Sequence, residues 1–449
     1  MIFLPFIISG AIGYLLLGLL TKKTAPLNFA LKVTLGIGLG LGLSSHLTFY
    51  SFLFFNKLEP QIIIAAHIIL LISLIALRMG DPKAGPLPPA ACEAGRVPQG
   101  QDPSLFFRKY LIPIVISIFA VLIIVLVIIQ ARFYPYGGWD AWQVWNFKAK
   151  FLLLSGDNWK DLFSPELWRS SPHYPLLLPL INVWAWLFTN KPLDVVPMIT
   201  SVSFTFLTIG LMCSALWQRT KNIFSLLPGF LLLTLPFFNL LATTQYCDIV
   251  LSFYCLAALV TLQEYKLVSG VFTGCLAFTK PEGMVAAMII CAIAFILTIR
   301  NFKDLWPFIW GLIAALLPAV AFHVLCSPGN QTFVNGLTSA LKPATWERLQ
   351  MIFGFLSVEL TSNKWNGLWL LLLLGIVLGG KNVWTKNKIT AGFLVLYLAV
   401  IIAYYEVNTY FEIKWWLSVS LNRILFSLLP LFFFWVFSGI LPSSEKKRD

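Results

Sequence analysis

Five ionisable residues stand where long apolar runs meet polar turns: Asp140, Asp248, Lys280, Glu282 and Arg423. Asp140 follows Tyr136-Gly137-Gly138-Trp139 and precedes Ala141-Trp142. The two glycines let the backbone turn sharply, and a carboxylate partly withdrawn from water is suited to accept a proton. The same position also suits a helix N-cap for 141–154, and the residues alone leave both open. Asp248 opens an apolar run after "TTQYC", as an orienting acid or as an ordinary helix-starting one. Lys280 and Glu282 flank Pro281 between two apolar runs, in a turn dipping into a bundle or in a plain turn with a snorkelling lysine. Arg423 follows "WWLSVSLN". Lys280 and Arg423 each ask for an anion, either a lipid phosphate or a neighbouring carboxylate. His173 immediately precedes Tyr174-Pro175, where an apolar stretch begins. A lone histidine is more often structural, but at such a boundary it also suits a phosphate. Trp139 and Trp142 fit an interfacial aromatic belt, which does not itself require a carboxylate in its midst.

These residues need a scaffold, and composition names its class. Of 449 residues, 58% are hydrophobic and 11% charged. A soluble chain carries about 25% charged residues. Apolar runs near helix-spanning length recur, so we expect an all-α polytopic membrane protein. Candidate spans cover 2–20, 29–50, 61–78, 110–131, 195–217, 223–243, 247–264, 267–279, 282–299, 305–326, 366–379, 389–405 and 423–440, about 13 in all. The net charge of +13 is no nucleic-acid signal, because the basic residues cluster in short loops: Lys22-Lys23, Arg78 to Lys109, Arg219-Lys221, Lys266, Arg300-Lys303, Lys381 to Lys388 and Lys446 to Arg448. The positive-inside rule puts those loops in the cytoplasm, with the N-terminus outside and the C-terminus inside. Seven cysteines without a CxxC pattern exclude a disulfide framework or a zinc ribbon. The opening "MIFLPFIISG" lacks a basic leader region and reads as a span.

The expected organisation is three accessory spans in 1–78, a flexible cytoplasmic linker at 79–109, a catalytic core at 110–300 with a first outer loop at 132–194, further spans at 301–440 with an outer loop at 327–364, and a basic tail at 441–449. Residues 141–154 space Trp142, Trp145 and Ala149 along one face of an amphipathic helix, with Lys148 and Lys150 pointing elsewhere. The stretch 174–188 is apolar but short and holds two prolines, and a full span there would break the charge alternation. It reads as a half-inserted or interfacial helix.

The order of these features resembles the membrane-embedded GT-C glycosyltransferases, in the branch containing protein O-mannosyltransferases and lipid A aminoarabinose transferases. The matching positions are Asp140, Gly156-Asp157-Asn158-Trp159, Tyr174-Pro175-Leu176-Leu177, Cys247-Asp248 and Thr279-Lys280-Pro281-Glu282-Gly283, within about 110–300. Ala141 stands where that branch has a second acid, and His173-Tyr174 where a lysine is usual. The resemblance implies a GT-C-like fold, a polyprenyl-phosphate sugar donor, and inverting transfer to a lipid, glycan or protein acceptor on the outer face of a bacterial inner membrane. It implies Asp140 as general base and Lys280, Arg423 and His173 as donor-phosphate contacts. Asp248, Trp139, Trp142, Tyr174 and Glu282 would orient the acceptor. No cofactor is required; a divalent cation has room but no firm ligand set. The competing expectations are a transporter or flippase, a glycan ligase, and an assembly protein in which Asp140, Asp248 and Lys280 lie far apart.

Overall fold

The computed structural model describes residues 1–22, 24–80, 121–339 and 345–442. Most of the expected linker, the start of the 110–131 span and the basic tail lie outside these residues. The described residues are helical and contain no strand. The helices in chain order are α1 Leu4–Leu20, α2 Phe29–Phe55, α3 Pro60–Met79, α4 Val121–Phe133, α5 Asn146–Leu154, α6 Leu177–Trp186, α7 Val195–Thr220, α8 Leu227–Leu233, α9 Pro236–Thr243 and α10 Cys247–Thr261. They continue with α11 Lys266–Ala277, α12 Pro281–Thr298, α13 Trp306–Leu325, α14 Gln331–Ser339, α15 Trp346–Thr361, α16 Leu368–Gly379, α17 Lys381–Lys386, α18 Lys388–Val407 and α19 Ile413–Ile440.

Among the described residues, seven helices are long and apolar enough to cross a membrane, or eight if one bent pair forms a single span, against about thirteen expected. Six shorter apolar helices of 10–17 residues accompany them. Hydropathy does not register breaks. The run 223–243 is divided at Thr234-Leu235, and the pieces Ile223–Leu233 and Pro236–Thr243 meet at 75°. Pro236 begins the second piece, where its missing N–H costs nothing. The stretch 174–188 holds one ten-residue helix, α6. At ~1.5 Å per residue it covers about half of a hydrocarbon layer. Every residue of α6 is buried against protein, so it is a core element and not a surface-lying one.

The last helix departs most from expectation. The span expected from 423 begins at Ile413 and runs 28 residues without interruption. Ile413, Leu417, Leu421 and Ile424 form a buried stripe at the helical repeat. Glu412 starts the helix by accepting from the backbone N–H groups of Lys414 and Trp415. Arg423 therefore lies ten residues inside a helix instead of at its mouth.

Two ends of the bundle differ in character. At one, Asn28 and Gln218 pair across the start of α2 and the end of α7, and the Tyr265 hydroxyl donates to Ala25 O. That end carries Arg219, Lys221, Lys266, Arg300, Lys303, Lys381, Lys386 and Lys388. At the other end α4, α11 and α18 finish and α10, α12 and α19 begin.

The accessory helices are locked to each other and to the core. Gly13 and Gly40 let α1 and α2 cross so closely that a Cβ on Gly40 would lie 1.7 Å from Ser9 O, a small-residue contact typical of membrane helices. Beside it runs a closed hydrogen-bond chain. Trp184 Nε1 donates to Ser9 Oγ at 3.0 Å, Ser9 and Ser44 hydroxyls pair at 2.7 Å, and Ser44 Oγ meets His67 Nε2 at 3.0 Å. His67 Nδ1 lies 2.7 Å from Ile63 O. A carbonyl can only accept, so Nδ1 carries the hydrogen and every proton in the chain has one assigned place. The His67 ring also stacks on Trp184 at 3.7 Å.

Candidate functional site

The loop that ends in Asp140 is held against the turn that precedes Asp248. Gly137 adopts φ +72°, which glycine tolerates without cost. A Cβ there would lie 2.5 Å from Thr244 O. Gly138 N–H donates to that same carbonyl at 3.0 Å. Gln245, itself left-handed at φ +62°, donates to Pro135 O at 2.9 Å and accepts from Asn146 Nδ2 at 2.8 Å. Asn146 and Asn182 extend this line to Thr200 on α7. Gln245 and Asn146 drew no notice in the sequence, because an amide in a loop carries no hydropathy or charge signal.

Once the two loops are joined, their acids meet cations from two further elements. Arg423 Nη1 donates to Asp140 Oδ2 at 2.6 Å, and Arg423 Nε donates to Asp248 Oδ2 at 2.7 Å. Lys280 Nζ donates to the other Asp248 oxygen at 2.5 Å and lies 3.5 Å from Glu282 Oε1. Four stretches separated by up to 283 positions thus share one network. Of the two open choices for Asp140, the N-cap is not taken: its side chain makes no cap bond. Lys280 does not snorkel; it is buried at the start of α12. Burial pulls its ammonium toward lower pKa, but Asp248 and Glu282 outweigh that and the net direction is upward. For Lys280 and Arg423 the anion on hand is a carboxylate.

Burial differs sharply across the network. The Asp248 side chain is 2% exposed and Lys280 6%, whereas Asp140 is 29% and Glu282 30% exposed. Three carboxylates face two cations, so the group is formally one charge negative, and Glu282 Oε2 is shielded without a partner. Arg423 also lies 4.4 Å from the centre of the Tyr246 ring. Burial, followed by Asp140, raises the Tyr246 hydroxyl. Burial, then Glu282 and Asp140, raises that of Tyr174, whose hydroxyl stays protonated beside the acids.

The other expected residues spread around this centre. Trp139 and Trp142 are both exposed and meet edge to face at 4.5 Å. The buried stripe after Asp140 is Ala141, Val144, Trp145, Lys148, Ala149 and Leu152, so Trp142 is off the face it was expected to share with Trp145. The cause is a π-helical turn at Ala141–Trp145, which carries one extra residue. Lys148, expected to point elsewhere, is fully buried. Its Nζ donates to Ser171 O at 2.7 Å and Tyr174 O at 2.9 Å, strapping the 171–174 loop onto α5. Burial drives its pKa well down. His173 packs edge to face on Tyr174. Burial, with Lys148 and His323, lowers it to about 4, so the ring is neutral near pH 7. Trp159 of the "SGDNW" step is a core anchor, donating to Asn56 Oδ1 at 3.3 Å and packing on Phe52. Among the described residues no three His, Cys, Asp or Glu side chains are grouped to hold a metal ion.

Compared with known proteins, the chain matches no family model, no curated protein and no solved structure.

Proposed function

We propose that the protein is a membrane glycosyltransferase of GT-C type that moves a sugar from a polyprenyl phosphate to an acceptor hydroxyl at the end of the bundle carrying Asp140. The observation behind this reading is the meeting of Asp140, Asp248, Lys280 and Arg423 in one half-buried network. Structural ion pairs are usually scattered and exposed. A buried network at an apolar–polar boundary is where perturbed, reactive groups collect.

The chemistry needs few groups. The acceptor oxygen bonds to the anomeric carbon as the bond from that carbon to the phosphate oxygen breaks. The electron pair leaves with the phosphate and the acceptor proton passes to Asp140. A phosphate leaves without being protonated, so one base suffices where glycosidases need two carboxyl groups. Arg423 and Lys280 supply positive charge where the leaving phosphate gains negative charge. Trp139, Trp142 and Tyr174 offer aromatic faces to the sugar. The lysines and arginines at the opposite end favour that end for the cytoplasm, which puts the transfer on the extracytoplasmic side, in our reading of a bacterial inner membrane.

The test is transfer of radiolabelled sugar from defined polyprenyl-phosphate sugars by detergent-solubilised protein, wild type beside Asp140→Asn. Lipid-dependent release that disappears in the variant supports the reading. A folded wild type that consumes no such donor, even with acceptor extract supplied, overturns it in favour of transport or assembly.

A further inference from the structure

The network presents the proposed transfer with an obstacle: its base and its phosphate contact are bonded to each other. While Asp140 Oδ2 accepts from Arg423, a proton arriving there meets a guanidinium at 2.6 Å. While Arg423 Nη1 donates to Asp140, a phosphate cannot take the Nη1–Nη2 end of the guanidinium with both prongs. For that two-pronged contact one of Arg423's two carboxylates has to yield.

The two are unequal. Asp248 uses both oxygens, on Lys280 and Arg423, and is almost wholly enclosed. Withdrawing it would strand two buried cations. Asp140 is about fifteen times more exposed, at 29% against 2%. Water can take over its solvation, and it contacts the network through a single oxygen. The loop before it is pinned to Thr244 and Gln245, so what yields is the side chain, beside an irregular turn of helix. Gly137-Gly138 precede Asp140 and the π-helical turn Ala141–Trp145 follows. Such a turn holds one residue of slack and is common at functional sites. A phosphate has the same sign of charge and the oxygen pair that a guanidinium fork accepts.

Building on the lipid-phosphate reading above, we infer that Asp140 and the donor phosphate compete for the same edge of Arg423, so that arrival of the donor releases the base. Asp248 and Lys280 then form the fixed part of the site and Asp140 the exchangeable part. Donor binding precedes productive acceptor binding, and a site without donor holds its base paired to Arg423 through Oδ2.

Binding without turnover tests this. A detergent-soluble short-chain polyprenyl phosphate, lacking sugar, is titrated into wild type, Asp140→Asn, Asp140→Ser, Arg423→Lys and the Asp140→Asn/Arg423→Lys pair, each checked for folding by its thermal transition. Asp140→Asn and Asp140→Ser are expected to bind at least about 10-fold more tightly than wild type, because the competitor's charge is gone. That gain is expected to vanish in the Arg423→Lys background. Inorganic phosphate is titrated in parallel. The same gain there identifies the phosphate group alone as the competitor; a gain confined to the lipid identifies the lipid phosphate. Equal or weaker binding by both Asp140 variants overturns the competition, while the transferase reading stands if wild type binds the lipid. Wild type and variants that all fail to bind either phosphate overturn both.

Discussion

The protein holds two polar clusters, and they are built on opposite rules. The chain Trp184–Ser9–Ser44–His67–Ile63 is uncharged and closed, with the Trp184 N–H shared between Ser9 and Pro5 O. The network Asp140–Arg423–Asp248–Lys280–Glu282 is ionic and unbalanced by one negative charge, and it reaches the surface through Asp140 and Glu282. The first spends all its bonding capacity on joining α1, α2, α3 and α6, which marks it as structure. The second retains open capacity at its rim, which marks it as a place where another molecule binds.

Substitutions sharpen that contrast. The largest effect is expected at Asp248. Asp248→Asn leaves Lys280 and Arg423 without their shared anion and should destabilise by ~3–5 kcal/mol, read as a lower thermal midpoint in detergent, with loss of transfer. Asp140→Asn should change stability by no more than about 1 kcal/mol, since this pair is partly open to water and Asp248 still holds Arg423, but cut transfer by roughly 10²–10⁴-fold. A large fall in the midpoint would make Asp140 structural. In the neutral chain the pattern reverses. Ser44→Ala strands polar partners and should cost ~1–3 kcal/mol with turnover per folded molecule unchanged. Ser44→Ala combined with His67→Phe, which removes both partners, should cost less than the sum of the single changes. The smallest effect is at His173. Its folded pKa, about 4, lies below the ordinary value of 6.5, so between those values the unfolded chain binds more protons and stability falls as pH falls. His173→Gln should flatten that acid-side slope, measured as thermal midpoint from pH 7 down to pH 4.

The candidate site was largely legible in the sequence, because a charge at the edge of an apolar run is conspicuous. Asp140, Asp248, Lys280 and Arg423 were each visible alone. What stayed hidden was that they satisfy one another, since that depends on amide links such as Gln245–Asn146 between distant loops. The architecture was legible as helical and membrane-embedded, but not in its breaks. The Pro236 bend and the brevity of α6 leave hydropathy unchanged. Glu412 and Lys414 disguised the first turns of α19 as loop, although Ile413, Leu417 and Leu421 already carried its buried stripe. Lys148 was misjudged because the carbonyls that cap it come from residues 23 and 26 positions further on.

The neutral chain also bears on how the protein is made. Ser9, Ser44 and His67 all lie within the first 67 residues, whereas Trp184 is 175 positions beyond Ser9. These three side chains can therefore satisfy one another as soon as they leave the ribosome, before the core exists. Of the three, only Ser9 waits for the indole of α6. The triad can thus close in lipid during synthesis, while Ser9, Asn28 and Asn56 stay as latches for Trp184, Gln218 and Trp159, which arrive later.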